Sequence, residues 1–494
     1  MNLKRLIILI AIFLCAEISS AQNEIDALNL SREEVTGSAR TIAMGGAFTA
    51  LGGDFSAIEI NPAGLGVLRS NEFTITPAFH TNISNSTYYG QETLDSKSNF
   101  NLGSVGIVGV KNLNKVGKWR SSAIAFGMNR SMSFHKAYTF RSSDVPSSLV
   151  DSYENTLIKN GLGPEDLDVD NAPYGFDIFL AWQNFLLDYP FDDDTTSVFY
   201  NATGEMPIDQ TYRVEKSGSK RETFLAFGGN YDDKLYIGGN IRFSRINYDN
   251  TYIINESIDP SDRTTNLNEH SFRFDENISG LGVGLNLGLI YRPTNQLRLG
   301  ASLKTPTIYS LNIEYESENT AIFEDFDPYY SQSLLGDYDF RLTSPLQTSF
   351  GVAYVFGKLG LVSADVEYVN YTGMRMQGTS DGYNFNAEED AIQAFLTPTV
   401  NLKFGAEYRV SDFVSLRAGY AKFGDPYNSN ADNFGGFDLY SFGIGYRTED
   451  FFVDGSYQLK NSQNTEYIYD PNLVESGTSE FTDHRISITF GYKF

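Results

Sequence analysis

Polar and apolar residues alternate along most of this chain. In the C-terminal stretch Ile486, Ile488, Phe490, Tyr492 and Phe494 share one parity, and Arg485, Ser487, Thr489, Gly491 and Lys493 share the other. Successive side chains of a strand point to opposite faces, so the pattern predicts a strand with one apolar and one polar face. The alternation recurs where Leu235, Ile237, Gly239, Ile241 and Phe243 oppose Tyr236, Gly238, Asn240, Arg242 and Ser244. It recurs again where Tyr440, Phe442, Ile444 and Tyr446 oppose Leu439, Ser441, Gly443 and Gly445. About fourteen such strands are predicted, starting near Asn71, Asn99, Trp119, Lys220, Lys234, Glu269, Gln296, Asp337, Leu359, Thr399, Phe413, Asp438, Phe451 and His484.

The connections sort into two kinds. Tight ones at Asn112–Lys118, Tyr231–Asp233, Arg292–Asn295, Gly357–Lys358, Ser411–Asp412 and Thr448–Asp450 alternate with long ones. The long ones are Thr81–Ser98, Arg141–Ser219, Asn255–Asn268, Glu314–Gly336, Tyr371–Pro398, Gly424–Phe437 and Lys460–Asp483. Short turns on one rim and long loops on the other are the mark of an outer-membrane barrel, and a soluble propeller or sandwich lacks that alternation. Lipid leaves no partner for a bare strand edge, so the sheet must close. The fold class expected is all-β, a transmembrane antiparallel barrel. The terminal strand ending on Phe494 also resembles the C-terminal recognition strand of bacterial outer-membrane barrels, which implies the barrel-assembly machinery as a partner.

The start of the chain fits that address. Lys4 and Arg5 precede the apolar run Leu6–Ala16, and Ser19-Ser20-Ala21 supplies small residues, so 1–21 reads as a secretory signal peptide. The run is too short to span a bilayer, which takes roughly 20 apolar residues. The single cysteine, Cys15, lies inside it, so disulfides and thiolate chemistry are not expected in the mature chain. Among 494 residues there are 44 Gly, 31 Tyr and 37 Phe, a bias that aromatic girdles and tightly tilted strands would produce. The net charge of −25 excludes nucleic acid as a partner, because phosphates need basic patches.

Residues 22–69, before the first strand, do not read as a spanning strand. Their core, Gly37–Gly66, is punctuated by Gly45-Gly46 and Gly52-Gly53 and contains the tetrapeptide Asn61-Pro62-Ala63-Gly64. Pro62 fixes φ, and Asn61 can bond the backbone ahead of it, so the tetrapeptide predicts a well-made turn. The segment reads as a compact plug for a barrel formed by 70–494. This stretch resembles the N-terminal hatch of the FadL/TodX family of outer-membrane transport proteins for hydrophobic compounds, with Asn61, Pro62 and Ala63 matching the family's NPA motif. The resemblance implies a fourteen-stranded barrel with a hatch in its lumen, passive transport of long-chain fatty acids or aromatic hydrocarbons, and hatch positioning and gating by Asn61, Pro62, Ala63 and Gly64. It also implies a sideways opening beside a kink in the third strand.

In that strand Arg130 falls on the lipid-facing parity with Ile124, Phe126, Met128, Met132 and Phe134. Either a bulge around Gly127–Ser131 swings it inward, or it sits near a rim and snorkels. The longest connection contains the apolar stretch Pro173–Phe191, read as a buried helix. Phe176, Phe179, Trp182 and Phe185 there form either a self-packed cap or an outer capture groove, with Phe323–Phe340 as a second wall. His80, His135, His270 and His484 lack metal-ligand spacing, and Asp192-Asp193-Asp194 lacks the spacing of a calcium loop. No catalytic motif, metal site or cofactor is expected. The function expected is passive uptake of hydrophobic small molecules by a monomer in the outer-membrane lipid. The alternatives are a secretion or surface-assembly component holding a protein partner, and a haem or porphyrin receptor.

Overall fold

The computed structural model describes residues 24–113, 118–162, 167, 176–188, 200–204, 207–258, 265–379, 384–431 and 433–494. The signal-peptide expectation at 1–21, the Asp192–Asp194 run and part of the predicted helical stretch lie outside them. No described helix is long and apolar enough to cross a membrane; the chain crosses with strands.

Fourteen antiparallel strands close into a barrel. They are β1 (Glu72–Tyr88), β2 (Gln91–Asn112), β3 (Trp119–Ser133, continued by Lys136–Val145), β4 (Ile208–Tyr231), β5 (Leu235–Ser257), β6 (Leu267–Tyr291) and β7 (Leu297–Lys304, continued by Ile308–Phe323). There follow β8 (Gly336–Thr343, continued by Leu346–Val355), β9 (Gly360–Asn370), β10 (Thr399–Arg409), β11 (Val414–Phe423), β12 (Phe437–Arg447), β13 (Phe451–Glu466) and β14 (Gly477–Lys493). Closure is made by β14 on β1, where Tyr492 faces Phe73 and Ile486 faces Phe79.

The predicted parity is the lipid face. Ile486, Ile488, Phe490, Tyr492 and Phe494 are exposed while Arg485, Ser487 and Thr489 are buried. Tyr291, Tyr354, Tyr408, Tyr446 and Tyr492, all exposed, stand near the short-turn rim, which is therefore the periplasmic one. Several strands run far past the membrane on the other side. β5 has 23 residues against the roughly 9–11 that span a bilayer. Three strands thus begin earlier than the alternation suggests, β2 at Gln91, β4 at Ile208 and β14 at Gly477. Beyond the lipid both faces meet polar surroundings, so the ladder continues without an apolar face to announce it.

The N-terminal segment lies within this wall. Helix α1 (Glu24–Ser31) buries Ala27, Leu28, Leu30 and Ser31, and helix α2 (Ala39–Ala43) and two 3-10 turns, Ser56–Glu59 and Pro62–Val67, are buried almost throughout. Gly45, Gly46, Gly52 and Gly53 take φ of 62°, 75°, 61° and 72°, the tight turns that the glycine pairs predict. On the outer side α3 (Leu149–Asn160) and α4 (Phe176–Gln183) pack with the ends of β5, β6 and β7, around Leu149, Tyr153, Ile178, Ile254 and Phe272. A further helix, α5 (Asn386–Phe395), contributes Ile392 to a cluster that includes Leu28 and Leu30 of α1.

Candidate functional site

The barrel receives its N-terminal segment through inward-facing glycines. A Cβ at Gly288 on β6 would collide with the side-chain oxygen of Asn61, one at Gly238 on β5 with the carbonyl of Pro62, and one at Gly300 on β7 with that of Thr49. Across the lumen, Gly405 on β10 meets Met44 and Gly419 on β11 meets Gly45. Asn61 caps the turn Pro62–Val67 by accepting from the Ala63 amide at 3.0 Å. Its amide group donates to Thr49 O at 2.6 Å and reaches Leu289 O and Ala301 O on the wall at 3.2 and 3.3 Å. Arg40 is tied to the opposite wall through Glu407 at 3.0 Å, and Glu407 in turn accepts from Arg417 at 2.8 Å. Asp54 fastens the segment internally, accepting from the hydroxyls of Ser38 and Ser56 at 2.9 Å.

The wall itself is interrupted between β2 and β3. Their ladder runs from Asn112↔Ser121 to Ser104↔Asn129 and stops there. Beside it the register of β3 on β4 slips between Arg130 and Met132, leaving Ser131 as an extra residue. After Ser133 the strand breaks and resumes at Lys136, now paired with β4 alone. The resumed piece sits inside the β1–β2 hairpin, since the hydroxyl of inward-facing Ser84 on β1 donates to Ala137 O at 2.7 Å. Gln91–Gly103 of β2 therefore have no strand on that side among the described residues.

Side chains bridge this seam instead of a ladder. Arg130 is only 6% exposed. It donates to Asn99 Oδ1 at 3.1 Å across the seam and to Gly218 O at 3.0 Å. His135 meets Asn99 Nδ2 at 3.1 Å and Gly218 O at 3.1 Å. Of the two placements that the sequence allows Arg130, an inward bulge and a snorkelling rim position, the geometry has the bulge, which turns the side chain away from lipid.

A cavity of about 570 Å³ lies directly behind the seam. Its wall includes Met132, Ser133 and Phe134 at the break in β3 and Lys136 and Tyr138 of the displaced part, together with Tyr248, Phe434, Phe437 and Phe481. The size falls in the range of small-molecule sites. Lys136 and Lys216 both line it and stand opposite each other in the β3–β4 ladder. Lys136 Nζ lies 4.2 Å from the centre of the Phe481 ring. Among the described residues neither lysine is in an ion pair, whereas Lys460 at the same cavity is held by Glu34 at 2.6 Å. Sequence reasoning missed this pair, because Lys216 fell in a stretch read as loop.

Farther out, the cap residues are brought together with their predicted second wall. Ile178 and Ala181 face inward, while Phe176, Phe179 and Trp182 are half-buried and Phe185 is exposed. The Phe185 ring packs edge-on to Tyr329 with centroids 5.0 Å apart, and Ser331 donates to Leu180 O at 3.3 Å. The cap is pinned by one buried carboxylate. Glu256 on β5 accepts from Ser148 Oγ, from Leu149 N at 2.8 Å and from Gln210 Nε2 at 2.8 Å, with His270 Nδ1 at 3.3 Å. Burial alone would raise its pKa, but His270, Ser148 and the Leu149 amide outweigh burial and hold it below the usual carboxylate value.

The four histidines stay apart: His80 is with Asp483, His135 with Gly218, His270 with Glu256 and His484 with Tyr457. Among the described residues no group of three or more potential metal ligands occurs.

No family model and no curated protein sequence matches the chain. Solved structures do. A Pseudomonas aeruginosa FadL homologue superposes with a TM-score of 0.56 at 12% identity, covering 94% of this chain and 100% of the other. The P. putida toluene transporter TodX gives 0.55 at 15% identity, over 93% and 99%. The Ralstonia pickettii toluene transporter TbuX gives 0.51 at 13% identity, over 93% and 99%. The chain thus has the fold of the FadL/TodX outer-membrane barrels.

Proposed function

We propose that this protein is an outer-membrane channel for the passive uptake of hydrophobic small molecules, with long-chain fatty acids as the class that fits best. The observation that carries the reading is the cavity of about 570 Å³ walled by the displaced part of β3, beside a seam that has no backbone ladder. An apolar ligand would gather on Phe176, Phe179, Trp182 and Phe185, descend to the cavity and leave sideways between β2 and β3. Aromatic walls suit an alkyl chain. Two facing ammonium groups, neither in an ion pair among the described residues, suit a carboxylate head better than a neutral hydrocarbon.

In this reading residues 22–69 are a hatch and 70–494 the barrel. Asn61, Pro62, Ala63 and Gly64 position the hatch, and the gate is the seam, with Arg130 as its fastening. The close seat of Asn61 on Gly288 and of Thr49 on Gly300 favours a hatch that stays in place while the seam opens. Release of Arg130 from Asn99 would free the β1–β2 hairpin from the displaced part of β3. Movement is downhill, so no nucleotide or cofactor is required.

The experiment is uptake of radiolabelled oleate by cells lacking the native protein, complemented with wild type or Arg130→Ala. Growth on oleate serves as the parallel assay. Wild type is expected to restore uptake and Arg130→Ala to change its rate severalfold. Equal rates in the two would remove Arg130 from gating, and no oleate uptake by wild type would remove the fatty acid.

A further inference from the structure

Arg221 on β4 and Arg245 on β5 stand directly opposite each other in the ladder between these strands. Both have the lipid-facing parity, since their chain neighbours Glu222 and Ser244 are fully buried and Phe243, two residues before Arg245, is 51% exposed. They mark the first polar row beyond the apolar band. On β5, Ile237, Ile241 and Phe243 lead up to Arg245, and Asn247 and Asp249 follow it. The row lies on the long-hairpin side, at the depth of the outer-leaflet head groups.

Two like charges directly opposite on one sheet face are destabilising unless something answers them. The protein does not answer them. Among the described residues neither guanidinium is in an ion pair, and Arg245 gives only its Nε to Asn247 Oδ1 at 3.3 Å. The carboxylates on the flanking rows are already engaged. Glu215 holds Arg213 at 2.6 Å and Lys97 at 3.5 Å. Asp249 accepts from Ser217 at 3.1 Å and Asn277 at 2.7 Å. Arg130, the next residue along this row, has turned inward to the seam. With a net charge of −25 overall, the pair is no part of a general basic coat. Beside it Leu281, opposite Arg245 on β6, is 63% exposed to lipid.

We propose that Arg221 and Arg245 together bind the phosphate of an outer-leaflet lipid, whose acyl chains run down over Leu281 and Phe243. Guanidinium forks take phosphate oxygens in pairs, and a phosphate between the two arginines relieves their mutual repulsion. The site lies on the outside of the wall, separate from the cavity, and stands whether or not the uptake reading does.

The test is native mass spectrometry of the detergent-solubilised full barrel with bis-phosphorylated lipid A. Dephosphorylated lipid A and inorganic phosphate are the comparison probes. Wild type is expected to hold one phosphorylated lipid. Each basic residue near a membrane surface contributes enough for about a fivefold change, so Arg221→Gln or Arg245→Gln should weaken binding about fivefold and the double variant about thirtyfold. Arg273→Gln, which removes an arginine paired with Asp275 farther out, should leave binding unchanged. Heat-modifiable gel mobility checks that each barrel is closed, and the single variants carry the test should the double variant not fold. Equal binding by wild type and variants overturns the proposal. So does equal binding of dephosphorylated lipid, or of inorganic phosphate alone.

Discussion

The side-chain oxygen of Asn61 occupies the space that a β-carbon on Gly288 would need. Gly288→Ala should therefore push the Pro62–Val67 turn off the wall, costing about 1–3 kcal/mol as an overpacked contact. Asn61→Ala should cost a similar amount, because it strips the donor from Thr49 O and opens a gap at the wall. Since each change acts on the same contact, Gly288→Ala in the Asn61→Ala background should cost much less than alone. Thermal unfolding of the four proteins in detergent measures the cycle; strict additivity would mean that the contact carries no energy.

The lipid face was legible in the sequence because lipid enforces contrast. Thr399 and Phe451 are correctly placed strand starts, and Ile486 to Phe494 keep their predicted parity to the last residue. Where contrast ended, legibility ended. Most of Thr81–Ser98, read as loop, is hairpin, turned at Tyr89-Gly90 with φ of 44° and 73°. Of the apolar stretch Pro173–Phe191, the described residues form a helix over Phe176–Gln183, and the chain then turns at Phe185 with φ of 59°. Many glycines ascribed to strand tilt are instead seats for a segment far away in sequence, as Gly288 is for Asn61. No local pattern encodes that pairing. Arg130 was legible only in part: on the lipid parity its sequence allowed an inward bulge or a rim position, and only the register slip beside it decides for the bulge.

Asn99 and His135 fasten the seam with atoms 3.1 Å apart, so a covalent link there should hold it shut. The chain has one cysteine, Cys15, so an Asn99→Cys, His135→Cys variant made in a Cys15→Ala background is free of competing thiols. Cross-linking this variant with a short bifunctional methanethiosulfonate, whose disulfides form with loss of sulfinate, should abolish oleate uptake, and a reductant should restore it. Uptake that persists with a complete cross-link would place the exit elsewhere.

Glu256 should make the outer cap sensitive to acid. Its folded pKa lies below the ordinary value, so the ionised carboxylate stabilises the cap above about pH 4 and that contribution is lost as pH falls through the lower folded value. The protection of α3 amides, the intrinsic exchange rate at each pH relative to the observed one, should be high at pH 7 and drop below about pH 4. Glu256→Gln, which cannot accept from Ser148 Oγ, Leu149 N and Gln210 Nε2 as strongly, should show low protection at both values. Protection that is independent of pH in the wild type would rule out Glu256 as the pin.

Lys136 tests the ligand class. It is an ammonium on an aromatic wall, with Lys216 opposite and no carboxylate holding it among the described residues. Lys136→Met keeps length and apolar bulk while removing the charge. A hydrogen bond to a charged partner contributes about 1.5–3 kcal/mol, so oleate affinity should drop roughly 10- to 150-fold. The affinity for oleyl alcohol, which has the same chain and no charge, should stay the same or rise, because the vacated ammonium no longer needs hydration. Fluorescence displacement with both ligands measures the difference. If oleate and the alcohol weaken together, Lys136 shapes the cavity without reading the head group. If neither changes, the carboxylate binds away from the seam.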